Sequence, residues 1–218
     1  MLNRDYFFEF AGMPKSGKST VVDVICHFLK RKGFKISEYH GGGKYSPIDK
    51  SSIESLNIYL ANKAIEYIII SSEREKVEHR LFIMDRGIFD RCIFTKALLK
   101  MSKIDINEAT TINNYLTIQR LTSKIDGVYL FVTNPTLSIE REYKNKLLQK
   151  AGRVMNTKFL TILQETSLEV YQEKQKAFPN ILLIDTQKLD NKITECAQLV
   201  ADNILERIGV TDDRGSAQ

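Results

Sequence analysis

A glycine-rich segment near the start of the chain has the residue types and spacing needed to bind phosphate. Residues 12–19, GMPKSGKS, match the pattern GxxxxGK[ST] in full and lie between an apolar run and a long amphipathic one. Gly12 and Gly17 let the backbone wrap with its N–H groups pointing inward. Lys18 can reach the outer phosphates of a nucleotide, and Ser19 offers a hydroxyl to Mg²⁺. The residues expected to contact the nucleotide are Gly12, Met13, Pro14, Lys15, Ser16, Gly17, Lys18, Ser19 and Thr20.

A second charged pair, Asp85-Arg86, directly follows the apolar run Leu81–Met84. A carboxylate at the tip of a strand near the phosphate loop can hold a magnesium-bound water or orient an attacking oxygen. Arg86 can clamp a phosphate with two parallel hydrogen bonds. We therefore predict a metal site at Ser19 and Asp85. The alternative is a helix cap at Asp85 with a solvated Arg86, and Asp90-Arg91 one turn later either joins the same face or forms a surface pair.

Three other features have less specific spacing. Tyr67 can stack on a base in an acceptor pocket, although aromatic residues at helical spacing are also typical of a core. Arg141 and Arg153 lie in a basic stretch that is either a solvated face or a lid delivering cations to a transferring phosphate. Glycines 41–43 either bring the backbone close to a ligand or form a flexible connector.

Short apolar runs alternate with long amphipathic ones, which indicates βα units around a parallel sheet. Strands are predicted at Tyr6–Phe10, Phe34–Glu38, Leu81–Met84, Gly127–Val132 and Ile181–Ile184. Helices are predicted at 18–32, from after Ser52 towards Glu78, and at 88–101, 107–124, 136–150, 154–177 and 190–208. We expect one three-layer α/β domain at 1–210 with a central five-stranded parallel sheet, a helical lid at about 136–153, and a flexible polar tail at 211–218.

The composition is that of a folded domain with a mild positive charge. The chain has 218 residues, 43% of them hydrophobic, and a formal net charge of +5. This charge suits a phosphate-rich small molecule but is too weak on its own to indicate nucleic-acid binding. Cys26, Cys92 and Cys196 are far apart, which predicts free thiols rather than a disulfide scaffold or a zinc site. No apolar run is long enough for a signal peptide or a membrane span, so we expect a cytoplasmic protein with no membrane partner.

The phosphate loop does not by itself separate ATPases, GTPases and kinases. GTPases usually recognise guanine through an Asn-Lys-x-Asp motif after a strand. The comparable strand of this chain ends in Val132-Thr133-Asn134-Pro135 instead. We therefore expect ATP, with Mg²⁺, as the bound nucleotide.

With the phosphate loop and Asp85-Arg86 together, the chain resembles the P-loop nucleoside and nucleoside-monophosphate kinases, thymidylate kinases most closely. The likeness extends over roughly residues 5–208. Its other matching segments are YLFVTNP at 129–135, SIER at 138–141, GR at 152–153 and ILLIDTQ at 181–187. The resemblance implies a P-loop NTPase fold and an ATP-dependent phosphotransferase acting on a small-molecule acceptor, with a homodimer as a further possibility.

The resemblance also implies roles for particular residues. Lys18, Asp85 and Arg86 would act on the phosphates, and Arg141 and Arg153 would arrive with a closing lid. Pro14 stands where thymidylate kinases usually have an acidic residue, and Lys15 where some members have a catalytic arginine. Glu38 resembles the base that deprotonates a sugar hydroxyl in deoxynucleoside kinases. With Arg86 and Tyr67, Glu38 completes the expected acceptor-binding set.

Three functions are consistent with these features. The first is transfer of the γ-phosphoryl group of ATP to a nucleoside or a nucleoside monophosphate. The second, motivated by Pro14 and by the unusual segment 38–44, is a P-loop kinase of a non-nucleotide metabolite. The third is a nucleotide-dependent switch or ATPase whose basic stretch contacts nucleic acid, although the modest net charge weighs against such a partner.

Overall fold

The computed structural model describes residues 2–43, 46–49, 51–75, 77–144, 155–187 and 192–210. These residues contain a parallel sheet of five strands in the order β2-β3-β1-β4-β5. The strands are β1 Tyr6–Gly12, β2 Ile36–His40, β3 Leu81–Asp85, β4 Ile125–Val132 and β5 Ile181–Asp185. Every predicted strand is present, so the expected α/β fold with a five-stranded parallel sheet is confirmed.

The helices in the described ranges are α1 Lys18–Arg31, α2 Ile53–Glu73, α3 Ile88–Lys100, α4 Ile106–Leu116, α5 Gln119–Thr122, α6 Pro135–Lys144, α7 Thr157–Lys174 and α8 Ile193–Arg207. The segment predicted as one helix at 107–124 divides into α4 and α5, because Ile118 between them has an extended backbone with ψ of 128°. The predicted lid at 136–153 begins with α6. Its remainder, including Arg153, and the predicted tail at 211–218 lie outside the described residues.

Helices cover both faces of the sheet, which explains why its central strands are apolar on both sides. One core is formed with α2, α3 and α7, and Phe7 and Ala11 of β1 belong to it. The other is formed with α1 and α8, and Phe8 and Phe10 belong to that one. The alternation along β1 therefore produces the expected three layers.

Two further expectations concern the thiols and the membrane. Cys26, Cys92 and Cys196 are all buried and form no disulfide. In the ranges given above, no helix combines the length and the apolar character that spanning a bilayer requires.

Candidate active site

The phosphate loop connects β1 to α1 at the carboxyl edge of the sheet. Gly12 has φ of 116°, and a Cβ at this position would lie 2.1 Å from the Phe131 carbonyl oxygen of β4. Both the backbone conformation and the lack of space therefore require glycine. Gly17, with φ of 88°, turns the chain into α1 at Lys18. The amino end of a helix, where anions are favoured, thus begins at the loop.

Lys18, Ser19 and Asp85 form a compact group beside the loop. Asp85 is the last residue of β3, which pairs with β1. Its carboxylate contacts Lys18 Nζ, and its Oδ2 accepts a hydrogen bond of 2.7 Å from Ser19 Oγ. The two side chains predicted to hold Mg²⁺ therefore lie together, and hydroxyl and carboxylate oxygens are ligands that Mg²⁺ prefers.

The charged residues of this group shift one another's pKa values. Burial and the nearby Arg86 lower the pKa of Lys18. Burial alone would raise the pKa of Asp85, but Lys18 and Arg86 outweigh it, so this pKa is below its ordinary value. Asp85 is therefore a carboxylate at neutral pH and is able to hold a cation.

Arg86 is held at the phosphate loop by Asp90. Its backbone is left-handed, with φ of 74°. Its Nη1 lies 3.2 Å from the Gly12 carbonyl oxygen and 3.0 Å from each oxygen of Asp90. Asp90 Oδ1 also accepts the Gly12 N–H at 2.9 Å. One carboxylate thus ties α3 both to the loop and to the arginine.

Asp90 and Arg91 are not a surface pair. The Asp90 side chain has no exposure, that of Arg91 is 4% exposed, and the two side chains contact each other. Burial alone would raise the pKa of Asp90, but Arg86, Arg91 and Lys18 together lower it. The alternative of a surface pair is therefore wrong, as is that of a solvated Arg86, whose side chain is only 15% exposed.

Helix α6 is bound to the phosphate loop by three of its side chains. Arg141 Nη1 donates to the Lys15 carbonyl oxygen at 2.8 Å, and Ser138 Oγ donates to the Pro14 carbonyl oxygen. Lys15 Nζ forms an ion pair of 2.9 Å with Glu142 Oε2. The structure thus brings both predicted cations, Lys15 and Arg141, to the loop. Glu142 is a partner that the sequence analysis missed.

Glu38 and Tyr67 lie on opposite faces of the sheet. Glu38 Oε1 pairs with Lys30 Nζ of α1 at 2.6 Å. Tyr67 Oη lies 3.0 Å from Ser37 Oγ, and its ring stacks on Tyr39 with 4.7 Å between centroids. Because side chains alternate along a strand, Ser37 and Tyr39 face α2 whereas Glu38 faces α1. Glu38 therefore does not share a pocket with Tyr67, and we leave it out of the proposed acceptor site.

A cavity of about 550 Å³ opens along the phosphate loop. Besides residues 13–20 of the loop and of α1, its wall includes Arg86, Arg141, Thr186, Ile193 and Cys196. Two guanidinium-bearing residues thus line the same cavity as the loop, which suits a polyphosphate with an attached organic group.

The sequence pattern places Glu9 in a strand and indicates no role for it. Glu9 is fully buried in β1, and its carboxylate accepts the N–H groups of Gly87 at 3.1 Å, Phe89 at 3.1 Å and Asp90 at 2.8 Å. The available signal was one acidic residue within the apolar run YFFEFA, because a buried carboxylate requires partners.

The fold of the described residues is similar to that of two solved kinase structures. Deoxyadenosine kinase from M. mycoides, in a structure with bound dCTP, superimposes with a TM-score of 0.66 at 16% sequence identity. The match covers 92% of this chain and 99% of that one. Thymidylate kinase from Candida albicans superimposes with a TM-score of 0.63 at 16% identity, with 96% of each chain covered.

These comparisons confirm the resemblance at the level of the fold. No protein-family model matches the sequence, and the comparison with curated proteins also finds no match. The chain thus has the fold that these nucleoside and nucleotide kinases share.

Proposed function

We propose that the protein transfers the γ-phosphoryl group of ATP to a nucleoside or a nucleoside monophosphate. The observation that carries the proposal is the convergence of Lys18, Ser19, Asp85 and Arg86 on one phosphate loop. The kinases with the same fold support an acceptor of this class.

In the reaction, an acceptor oxygen forms a bond to the γ-phosphorus while the bond from that phosphorus to the β–γ bridging oxygen breaks and ADP leaves. A hydroxyl acceptor releases its proton to solvent. Lys18 and the loop amides bind the donor phosphates, and Arg86 stabilises charge on the transferring group. Ser19 and Asp85 would hold Mg²⁺, which when bound neutralises phosphate charge. The closed lid would place Arg141 and Arg153 near the transferring phosphate. It would also exclude water and so suppress hydrolysis of ATP.

The test uses the purified full chain, Mg²⁺ and ATP labelled in the γ-phosphate. The acceptor panel contains nucleosides, nucleoside monophosphates, sugars and small alcohols. Transfer confined to the first two classes supports the proposal. Transfer to a sugar or an alcohol alone shows a metabolite kinase, and release of phosphate with no labelled acceptor shows an ATPase.

A matched pair of lysine variants tests the site itself. Lys18→Ala removes the loop cation and should lower transfer by about 10²-fold or more. Lys30→Ala removes a lysine of the same helix whose partner is Glu38, outside the proposed acceptor site, and it should leave transfer unchanged. Equal rates for the two variants would exclude the site.

A further inference from the structure

We propose that Glu9 is a positioning residue for phosphoryl transfer, because it holds the first turn of α3 and thereby fixes Asp90 and the Arg86 guanidinium at the phosphate loop. The inference rests on the proposed function and adds to it a residue that does not touch the phosphates.

Glu9 supplies from another strand the cap that α3 lacks. The residue before α3 is Gly87, which has no side chain and makes no capping hydrogen bond. The first N–H groups of a helix have no partner within the helix and need an acceptor. Glu9 Oε1 accepts from Gly87 and Asp90, and Glu9 Oε2 accepts from Phe89.

The contact between Glu9 and the turn leaves room for glycine alone at position 87. A Cβ on Gly87 would lie 2.5 Å from Glu9 Oε2 and 2.7 Å from Glu9 Cδ. A real Cβ does not approach other atoms so closely. The carboxylate and the turn therefore fit each other directly, with no space for an intervening water.

Glu9 binds the backbone of Asp90, and the side chain of Asp90 binds Arg86. The N–H of Asp90 donates to Glu9, while the carboxylate of Asp90 binds Arg86 Nη1 and accepts the Gly12 N–H at 2.9 Å. Glu9 and Gly12 are three residues apart in the same strand. β1 thus binds Asp90 through both its backbone and its side chain. We expect the position of Arg86 at the loop to depend on both contacts.

The charge state of Glu9 matters because a carboxylate is the better acceptor for three N–H donors. Burial raises the pKa of Glu9 to about 7, against the opposing effect of those N–H groups. The ionisable groups that act on it from neighbouring elements are Asp90 and Cys92 of α3 and Tyr39 of β2. The carboxylate form therefore becomes populated across neutral pH.

The test compares wild type with Glu9→Gln, which keeps the size of the side chain but has one acceptor atom instead of two. At saturating ATP we expect kcat to fall about 10- to 100-fold, since a small misplacement of a catalytic group has such an effect. KM for ATP should stay within about twofold, because the substitution alters neither Lys18 nor any side chain of the loop. In wild type, kcat should rise between pH 6 and 8 as Glu9 ionises, and this rise should be absent in Glu9→Gln. If Glu9 had a purely structural role, the variant would keep the rise.

The matched control is Asp5→Asn. Asp5 is another buried carboxylate that accepts a backbone N–H, that of Arg80 at 2.9 Å, but it lies just before the opposite end of β1. This variant should keep the kcat and the pH profile of wild type. A fall in kcat for both variants would show general damage to the sheet and would overturn the inference.

A second measurement does not depend on activity. Amide hydrogen exchange at Gly87, Phe89 and Asp90 should be at least about tenfold faster in Glu9→Gln than in wild type, with the amides of α1 unchanged. Unchanged exchange, or faster exchange with unchanged kcat and pH profile, overturns the inference. If wild type transfers phosphate to no acceptor, the proposed function fails, and the exchange data still decide whether Glu9 holds the turn.

Discussion

Lys15 Nζ lies 2.9 Å from Glu142 Oε2, so a cation of the phosphate loop is paired with a carboxylate of α6. The Glu142 side chain is only 10% exposed, whereas that of Lys15 is 39% exposed. The resemblance to P-loop kinases implies that this ammonium group approaches the transferring phosphate. In the proposed reaction, Lys15 would exchange Glu142 for phosphate oxygens, so the two anions would compete for it.

Glu142→Gln should strengthen ATP binding. The substitution removes the anion that competes for Lys15, and a partly exposed ion pair of this kind is worth about 1 kcal/mol or less. We therefore expect Kd for Mg-ATP, measured by calorimetry, to fall by up to about fivefold. Glu140→Gln changes an exposed carboxylate of the same helix and should leave Kd unchanged. Weaker binding by Glu142→Gln would show that Glu142 supports the site instead of competing with it.

Asp85→Asn should damage both stability and transfer. It leaves Lys18, which is 4% exposed, without its counter-charge, and breaking a buried pair lowers the free energy of unfolding by about 3–5 kcal/mol. It also removes a proposed magnesium ligand, so transfer should fall by about 10²-fold or more and require more Mg²⁺. Urea denaturation and a magnesium titration of the transfer rate measure the two effects.

The control for Asp85→Asn is Glu66→Gln, which breaks an exposed ion pair with Lys63 on α2. Its urea midpoint should stay close to that of wild type, because exposed pairs contribute little. An Asp85 variant that unfolds at the wild-type midpoint would mean that Lys18 does not depend on Asp85.

The parts of the site that the sequence predicts are those with local patterns. Lys18 and Ser19 follow from the loop motif, and Asp85 follows from its place at the end of an apolar run, because the ends of neighbouring parallel strands meet at one edge. These three residues are together in the structure. The common edge can be predicted without knowing the strand order, which places β1 next to β3.

For the residues that the sequence misses or misplaces, the partners depend on the direction in which the side chain points. Glu38 was expected near the acceptor but faces α1, since a shift of one residue along a strand reverses the face. Asp90 and Glu142 look like ordinary helical surface residues in the sequence. Their burial depends on α3 and α6 packing against the phosphate loop, a tertiary contact that no local pattern encodes.

Gly41→Ala and Gly42→Ala should differ in stability and in activity, although the two glycines are adjacent. A Cβ at Gly41 would lie 2.1 Å from the Arg86 carbonyl oxygen, whereas at Gly42 it meets nothing within 4 Å among the described residues. The N–H of Gly41 also donates to the Asp85 carbonyl oxygen at 2.8 Å. Gly41→Ala should therefore displace the turn that carries Arg86.

We expect Gly41→Ala to lower the free energy of unfolding by about 1–3 kcal/mol, as overpacking does, and to lower kcat/KM for the acceptor. Gly42→Ala should match wild type in both. Chemical denaturation and steady-state kinetics measure the pair. If the two variants behave alike, the segment is a flexible connector and does not support Arg86.

The buried carboxyl of Glu9 should make stability depend on pH in a specific direction. Its pKa of about 7 in the folded protein exceeds the ordinary value of 4.5, so between these values the folded protein holds a proton that the unfolded chain has released. The stability that comes from this proton is fully present below about pH 4.5 and is lost as the pH rises through 7. The loss amounts to about 3 kcal/mol. Glu9→Gln has no such proton. Between pH 4.5 and 8, wild type should therefore lose about 3 kcal/mol of unfolding free energy relative to the variant. Urea denaturation of both proteins at constant ionic strength measures it, and groups common to both cancel. A difference that stays constant with pH would show that Glu9 is ionised throughout, so that its three N–H donors outweigh its burial.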